Sequence, residues 1–287
     1  MNDKKRSPIL IIASGAQDIG KSYTSLKHAI YYAYITKHKR STLIFDKNGN
    51  EFAEYEIDGI KHRIKPIGNS VRDVIAFGNS GMIKPEVRRI SPIHSNGFPF
   101  TSEETEDLLR MCINFYRGGT LILEDFTTMF DGNIPNSIKG LLTNVRHRNC
   151  DVCLHLQSIA RISPIMRQNT KIIRYHYQMD SILDSKEDLR GELDIYLIAE
   201  KLINKQFELG NTRFFVYIYR MSKKLKGDFS PRMLSEAIQE YISENERIIR
   251  PLLVKRNIQG KKIHNYETAL NLKTKELFIK YWGNELK

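Results

Sequence analysis

The segment at residues 15–22 constrains the fold of this chain more than any other part of its sequence. It reads GAQDIGKS and fits the pattern G-x-x-x-x-G-K-[ST] in full. An apolar run at residues 8–13 precedes it and is typical of a buried strand, while the apolar positions within 26–34 follow at the spacing of one helix face. The sequence therefore predicts a strand, a glycine-rich loop and a helix in direct succession.

This pattern has a known chemical use, because glycines allow backbone N–H groups to surround phosphate oxygens at the start of a helix. Lys21 is expected to reach the β- and γ-phosphates of a nucleotide, and Ser22 to coordinate Mg²⁺. The expected nucleotide contacts are Gly15, Ala16, Gln17, Asp18, Ile19, Gly20, Lys21, Ser22 and Tyr23. A chance glycine-rich turn is the alternative, and the strand and helix on either side disfavour it.

Residues 1–190 are expected to form one α/β domain. Further strands are predicted at residues 42–45, 88–93, 120–123, 152–156 and 172–177, with a hairpin around Asp58 and Gly59. A helix is predicted to begin at Thr101, because Thr101 and Glu104 match a capping box. Alternation of strands and helices at this spacing indicates a mostly parallel sheet flanked by helices on both faces. Residues 67–86, rich in glycine, asparagine and serine, are interpreted as a surface connection, with a mobile loop that grips DNA as the alternative.

Residues 191–287 are expected to form a smaller basic region. It is predicted to be mainly helical, with helices at 192–205 and 231–249 and one strand at 213–219. From residue 223 to the C-terminus there are 14 Lys and Arg against 8 Asp and Glu.

Two adjacent carboxylates follow the apolar run at residues 120–123. A P-loop site requires one carboxylate beside Mg²⁺ and, for hydrolysis, a second that orients or deprotonates water. Two assignments fit: Glu124 on the metal side with Asp125 activating water, or Asp125 on the metal side with the catalytic carboxylate elsewhere or absent. The first is favoured because the apolar run stops at Leu123, so Ser22 and Glu124 are the expected metal ligands.

Two further residues are candidates for catalysis. Arg146 comes just before the strand at 152–156, where an arginine at a subunit edge can stabilise charge on a neighbour's transferred phosphoryl group. Gln157 comes at the tip of the same strand, placed either to hold the attacking water or to sense the γ-phosphate. An ordinary surface role fits each of them when taken alone.

The net charge of +12 points to a polyanionic partner. The expected nucleic-acid contacts are Lys223, Lys224, Lys226, Lys255, Arg256, Lys261 and Lys262. Three cysteines are too few for a disulfide framework and favour a reducing compartment. No apolar stretch is long enough to cross a bilayer and no secretory signal is evident, so the expected location is the cytoplasm.

The ordered motifs together resemble the FtsK/HerA superfamily of DNA-pumping ATPases over roughly residues 8–178. The features that carry the resemblance are the GxxxxGKS loop, Asp46 after the second strand, Glu124-Asp125, Arg146-His147-Arg148, Gln157 and Gln168-Asn169. Within that superfamily the chain looks most like viral genome-packaging ATPases, because it is short and has a basic C-terminal region. The order Glu-Asp departs from the family pattern and leaves the catalytic base unassigned.

The resemblance implies an ATPase that moves double-stranded DNA through a ring of five or six subunits. It also implies a trans-acting arginine finger at Arg146 or, alternatively, Arg148, and a capsid portal or another assembly component as partner. Two other functions remain open. One is an assembly or extrusion ATPase similar to the zonular-occludens-toxin-like proteins of filamentous phages, and the other is a nucleotide-dependent switch that is not a motor.

Overall fold

A computed structural model describes residues 7–49, 51–126, 135, 138, 140, 149–185, 187, 189 and 191–284. By its internal contacts the chain divides into two compact units, residues 1–172 and 173–287. The domain boundary at residue 190 stays a prediction.

The described strands and helices have the following bounds. The strands are β1 (Leu10–Ser14), β2 (Thr42–Phe45), β3 (Glu54–Ile57), β4 (Ile60–Arg63), β5 (Val87–Ile90), β6 (Thr120–Leu123), β7 (Asp151–Leu156), β8 (Thr170–His176), β9 (Phe215–Tyr219) and β10 (Lys224–Gly227). The helices are α1 (Lys21–Ile30), α2 (Val71–Gly81), α3 (Ser102–Phe115), α4 (Pro164–Asn169), α5 (Leu193–Glu208), α6 (Pro231–Glu244), α7 (Arg250–Leu253) and α8 (Tyr266–Tyr281). Residues 31–35 extend α1 as a π-helical turn.

The main sheet has the strand order β10-β9-β8-β1-β7-β6-β2-β5. Within it β1, β7, β6, β2 and β5 run parallel to one another, and β9 pairs with β10 in antiparallel fashion. The predicted fold class, a mostly parallel sheet flanked by helices with a smaller, mainly helical C-terminal region, is therefore confirmed.

Parallel pairing brings the carboxyl ends of five strands to one edge of the sheet. Phe45 pairs with Leu123, Leu123 with Leu154, and Ser14 with Leu156. The residues that immediately follow β1, β2, β6 and β7 therefore begin at nearly the same level. This edge carries the glycine-rich loop and both carboxylates that the sequence singles out.

Helix α1 packs on the sheet through a cluster of buried apolar side chains. The cluster contains Leu26 and Ala29 of α1 together with Ile44 and Ile122 of the sheet. The β3–β4 hairpin covers the same cluster with Phe52, Ile57 and Ile64. Removal of these side chains from water fixes α1, and with it the loop before α1, against the sheet.

The interpretation of residues 67–86 as a surface connection is wrong, because residues 71–81 form α2. Ser70 caps this helix by accepting a hydrogen bond from the Asp73 N–H. A Cβ at Gly81 would lie 2.3 Å from the Ser41 Oγ, and one at Gly78 would lie 3.3 Å from the Arg117 carbonyl oxygen. These glycines therefore serve close packing, which composition alone does not distinguish from a flexible loop.

Helix α3 begins where the sequence predicts. The Thr101 hydroxyl accepts a hydrogen bond from the Glu104 N–H at 3.3 Å, and the Glu104 carboxylate accepts one from the Thr101 N–H at 2.8 Å. This reciprocal capping box satisfies backbone donors that have no partner within the helix.

In the second unit α6 packs against both α5 and α8, and β9 packs against α5. The sequence predicts one strand at residues 213–219, whereas the structure has β10 in addition to β9. Lys223 has a φ of 52° and turns the chain between the two strands. The segment Lys224–Gly227 is too short to show an alternating pattern, which is why the sequence did not indicate β10.

In the part of the chain that the structure describes, no helix has the length and apolar character needed to span a membrane.

Replacing Thr101 with alanine tests the capping box of α3. We expect Thr101→Ala to lower the free energy of unfolding by about 1 kcal/mol, because the Glu104 N–H loses its acceptor. Thr101→Ser keeps the hydroxyl and should unfold within a few tenths of a kcal/mol of the parent protein. Urea denaturation followed by circular dichroism measures both, and equal midpoints for the alanine and serine variants would contradict the capping role.

Candidate nucleotide-binding site

The glycine-rich loop joins the end of β1 to the start of α1. The Gly15 N–H donates to the Leu156 carbonyl at 3.1 Å, which fixes the first residue of the loop to the end of β7. Gly20, the N-cap of α1, has a φ of 86°, a conformation that side chains other than glycine rarely adopt. The first turn of α1 contains no acidic residue, so the positive end of the helix dipole is left for an anion.

The Lys21 side chain is buried and folds back over the loop that precedes it. Its Nζ donates to the Gly15 carbonyl at 2.8 Å and also to the Ala16 carbonyl. The ammonium group therefore lies within the loop, close to the amides that the sequence predicts as phosphate ligands.

The Ser22 hydroxyl joins the loop to the adjacent strand end. Ser22 Oγ donates to Glu124 Oε1 at 2.6 Å, across 102 residues of sequence. Glu124 is buried, whereas Asp125 is partly exposed and has a left-handed φ of 44°. The structure therefore brings Ser22 and Glu124 together and turns the backbone immediately after Glu124.

His155 was missed as a site residue by sequence reasoning. Its Nδ1 forms an ion pair with Glu124 Oε2, and its Nε2 lies 2.6 Å from Ser25 Oγ. Ser22 and Ser25 are three residues apart and lie on the same face of α1. Glu124 is thus held from two sides, by Ser22 and by His155.

A register argument explains why His155 meets Glu124. Leu123 of β6 pairs with Leu154 of β7, so the next residue on each strand is Glu124 and His155. This signal was present in the strand predictions. It required knowledge that β6 and β7 are neighbours, which the sequence does not give.

Burial and neighbouring charge shift the pKa values of Glu124 and His155 in opposite directions. Burial alone would raise the pKa of Glu124, but His155, Ser22 and Lys21 outweigh it and hold the pKa below its ordinary value. Burial lowers the pKa of His155, and the facing Glu124 carboxylate more than compensates and raises it to about 9. At neutral pH the pair is therefore an anionic carboxylate and an imidazolium.

Glu51 is a second residue that the sequence did not indicate. Partial desolvation raises the pKa of its carboxyl group, an Asn48 hydrogen bond opposes this, and the charges of Glu124, Asp125 and Asp46 raise it further. The carboxylates at this edge of the sheet are therefore near enough for their charges to interact.

Asp46 follows β2 at the same edge and is fully buried. Its carboxylate accepts hydrogen bonds from the Gly49 and Phe52 N–H groups at 3.1 and 3.4 Å, and Arg89 Nη1 lies 3.5 Å from its Oδ2. Burial raises the pKa of Asp46, against these hydrogen bonds and the charge of Arg89. These contacts tie Asp46 to the loop after β2.

Further predicted site residues are Gln157, Tyr23 and two arginines. Gln157 follows Leu156, whose carbonyl accepts from the Gly15 N–H, and so is adjacent to the start of the loop. The Tyr23 hydroxyl donates to Asp58 Oδ1 at 3.0 Å, so its side chain packs on the β3–β4 hairpin. Arg146 and Arg148 lie outside the described residues.

The predicted nucleic-acid residues fall into two groups. Three of them contact their own fold: Lys223 Nζ donates to the Gly191 carbonyl at 3.4 Å, Lys224 Nζ to the Ile279 carbonyl at 2.9 Å, and Lys226 Nζ lies 5.6 Å from the Tyr219 ring centroid. The other four are exposed and share one hairpin: Lys255, Arg256, Lys261 and Lys262.

Comparison with known proteins gives matches among solved structures alone. No protein-family model matches the chain, and no curated protein does. The genome packaging NTPase B204 from Sulfolobus turreted icosahedral virus 2, in complex with AMPPCP, has 18% identity and a TM-score of 0.45, over 76% of this chain and 96% of that chain. B204, the DNA-packaging ATPase from Sulfolobus turreted icosahedral virus, has 15% identity and a TM-score of 0.47, over 77% of this chain and 97% of that chain.

A third similar structure is the N-terminal domain of zonular occludens toxin from Neisseria meningitidis. It has 8% identity and a TM-score of 0.33, over 59% of this chain and 76% of that chain.

Replacing His155 tests the buried ion pair through the pH dependence of stability. Because folding raises the pKa of His155 from about 6.5 to about 9, its contribution is full below pH 6.5 and is lost as the pH rises towards 9. We expect the difference in unfolding free energy between the parent protein and His155→Gln to shrink over this range, by at most a few kcal/mol. Urea titrations in EDTA measure it.

Ser25→Ala is the matched control, since it removes the second contact of His155 and keeps the pair with Glu124. It should retain the pH dependence of the parent. A constant difference between the parent and His155→Gln from pH 6 to 9 would show that the pair does not form.

Proposed function

We propose that this chain binds ATP with Mg²⁺ and hydrolyses it. The observation that carries this proposal is the hydrogen bond between Ser22, at the start of α1, and Glu124, at the end of β6. It places a hydroxyl and a carboxylate side by side next to a loop whose sequence pattern is expected to bind phosphate.

The residues at this point fit Mg²⁺. Magnesium prefers hard oxygen ligands and is commonly bound by one or two carboxylates together with substrate phosphates. Ser22 and Glu124 offer such oxygens, and Glu124 is held as an anion by His155. When bound, Mg²⁺ would neutralise charge on the β- and γ-phosphate oxygens.

In the proposed hydrolysis the residues of the loop bind and the residues at the strand ends act on water. Backbone N–H groups of residues 15–23 bind the phosphates, and the Lys21 ammonium exchanges its two carbonyl acceptors for phosphate oxygens. Asp125 accepts a proton from water as the new bond to the γ-phosphorus forms. The bond between the γ-phosphorus and its bridging oxygen breaks, and its electron pair leaves with ADP.

Gln157 is proposed to orient this water, because it follows the strand end whose carbonyl holds Gly15. His155 is a positioning residue in this scheme, since it acts through Glu124 and touches no substrate.

We further propose that hydrolysis moves double-stranded DNA and occurs in a ring of five or six subunits, with Arg146 supplied to a neighbour's site. The motif order and its resemblance to DNA-pumping ATPases support the motor, and the net charge of +12 supports a polyanionic track. A viral genome-packaging role, with a capsid portal or another assembly component as partner, is the specific form that we favour.

Paired substitutions of the two carboxylates distinguish their roles. Glu124→Gln should weaken Mg²⁺-dependent ATP binding at least tenfold, because it removes a charged metal ligand. Asp125→Asn should bind ATP normally and lower kcat by about 10²-fold or more. Lys27→Ala, a change on the exposed side of α1 where Lys27 pairs with Asp58, is the control and should leave both quantities unchanged. The reverse result, a binding defect in Asp125→Asn alone, would favour the opposite assignment.

Catalysis shared between subunits predicts a particular dependence on protein concentration. The specific ATPase rate should rise with concentration until the ring is assembled, and linear duplex DNA at low salt should raise it further. Arg146→Ala should bind ATP but not hydrolyse it. Lys21→Ala should neither bind ATP nor hydrolyse it. A specific ATPase rate that does not change with protein concentration would contradict a site shared between subunits. A rate that DNA does not raise would contradict the DNA motor. Turnover below about once per minute even with DNA would favour a switch protein.

A further inference from the structure

Residues 254–263, between α7 and α8, form a structured projection that we call the basic hairpin. The Ile263 N–H donates to the Lys255 carbonyl at 3.0 Å, and the Asn257 N–H donates to the Lys261 carbonyl at 2.9 Å. At the turn, the Gly260 N–H donates to the Asn257 carbonyl at 3.0 Å. The hairpin is therefore a short two-stranded ribbon held by its own backbone.

Side chains stiffen the turn of the basic hairpin. The Asn257 Oδ1 accepts from the Lys261 N–H at 2.9 Å, and Arg256 Nη1 donates to the Gly260 carbonyl at 2.7 Å. A chain that has lost this much freedom before binding loses less entropy when it contacts a partner.

The charge around the basic hairpin has one sign. Residues 247–266 contain six Lys and Arg and no Asp or Glu. Among the described residues, no ion pair involves Lys255, Arg256, Lys261 or Lys262. By contrast, Lys201 and Lys205 in the same unit pair with glutamates. The hairpin thus presents cations on both of its strands without local carboxylates to neutralise them.

One apolar side chain, Ile258, lies at the tip of the basic hairpin. Ile258 is fully exposed, and at the base Val254 is mostly exposed and Ile263 is about half exposed. Solvent exposure of these side chains contributes nothing to folding, since the hydrophobic effect acts through burial. A single isoleucine flanked by cations is too small an apolar area to hold a lipid surface, and it fits the floor of a nucleic-acid groove.

We propose that the basic hairpin enters the major groove of duplex DNA as a two-stranded ribbon. Lys255, Arg256, Lys261 and Lys262 contact phosphates on either side of the groove, and Ile258 contacts base edges, in particular thymine methyl groups. The major groove admits a two-stranded ribbon, and apolar side chains contact the thymine methyl there. This inference rests on the proposed function for its choice of DNA as the polyanion.

Binding of the full-length protein to an A·T-rich linear duplex, measured by fluorescence anisotropy over a range of salt concentrations, tests the phosphate contacts. The double variant Lys261→Ala/Lys262→Ala should bind about tenfold more weakly at low salt, and the slope of log K against log salt should fall by about 2. Lys273→Ala/Lys275→Ala on α8 removes the same charge from the same unit and should change the slope much less.

A double-mutant cycle tests the role of Ile258. It combines Ile258→Ala in the protein with removal of the thymine methyl group from the DNA. Ile258→Ala should weaken binding about threefold with an unchanged salt slope, because no phosphate contact is lost. Replacing thymine by uracil in the duplex removes the methyl groups and should weaken the parent protein but not Ile258→Ala. Equal sensitivity of the two proteins to uracil would overturn the groove contact.

The outcomes separate this inference from the proposed function. If the hairpin variants bind DNA like the parent protein, DNA contact by the basic hairpin is refuted, and the proposed DNA motor is unaffected. If the hairpin variants weaken DNA binding as expected but the protein has no ATPase activity, the motor is refuted and DNA contact by the hairpin is supported. A parent protein that binds no duplex at low salt would overturn both the hairpin and the DNA track, and basal ATPase measured without DNA would then show whether hydrolysis survives.

Discussion

The hydrogen bond between Ser22 and Glu124 is the contact on which the rest of this site depends. It exists because a loop after β1 and the end of β6 are brought to one edge of a parallel sheet, and because α1 is fixed on that sheet by apolar packing. A buried carboxylate in this position would be costly without partners. His155, Ser22 and Lys21 supply them, so that Glu124 stays ionised although it is buried.

Much of the fold could be predicted from the sequence. The strands β2, β6 and β7 are short apolar runs, and the capping box of α3 is a local signal that does not depend on the rest of the chain. Helix α2 could not be predicted in this way, because its glycines are explained by contacts with Ser41 and Arg117, which are distant in sequence. The strand β10 was missed for a related reason, since four residues that include two lysines carry no periodicity.

The candidate site was predicted in part. The loop residues follow from a contiguous pattern, whereas the two assignments of Glu124 and Asp125 remained open because the pattern does not say which side chain faces α1. His155 lies 31 residues after Glu124 along the sequence and meets it through the register of β6 and β7. Glu51 lies in a segment without any motif and reaches the acidic edge through the loop after β2. Both residues depend on strand order, which a single sequence does not specify.

The hydrogen bonds that Lys21 makes within its own loop affect which anions can bind there. Its ammonium group already holds two carbonyl oxygens of its own loop, so an arriving anion gains nothing from merely offering one oxygen in exchange. In the proposed function a polyphosphate, which presents several oxygens at once, would replace both acceptors and also bind the backbone amides. The two carbonyl oxygens of the loop would then take the ammonium group back once the products depart.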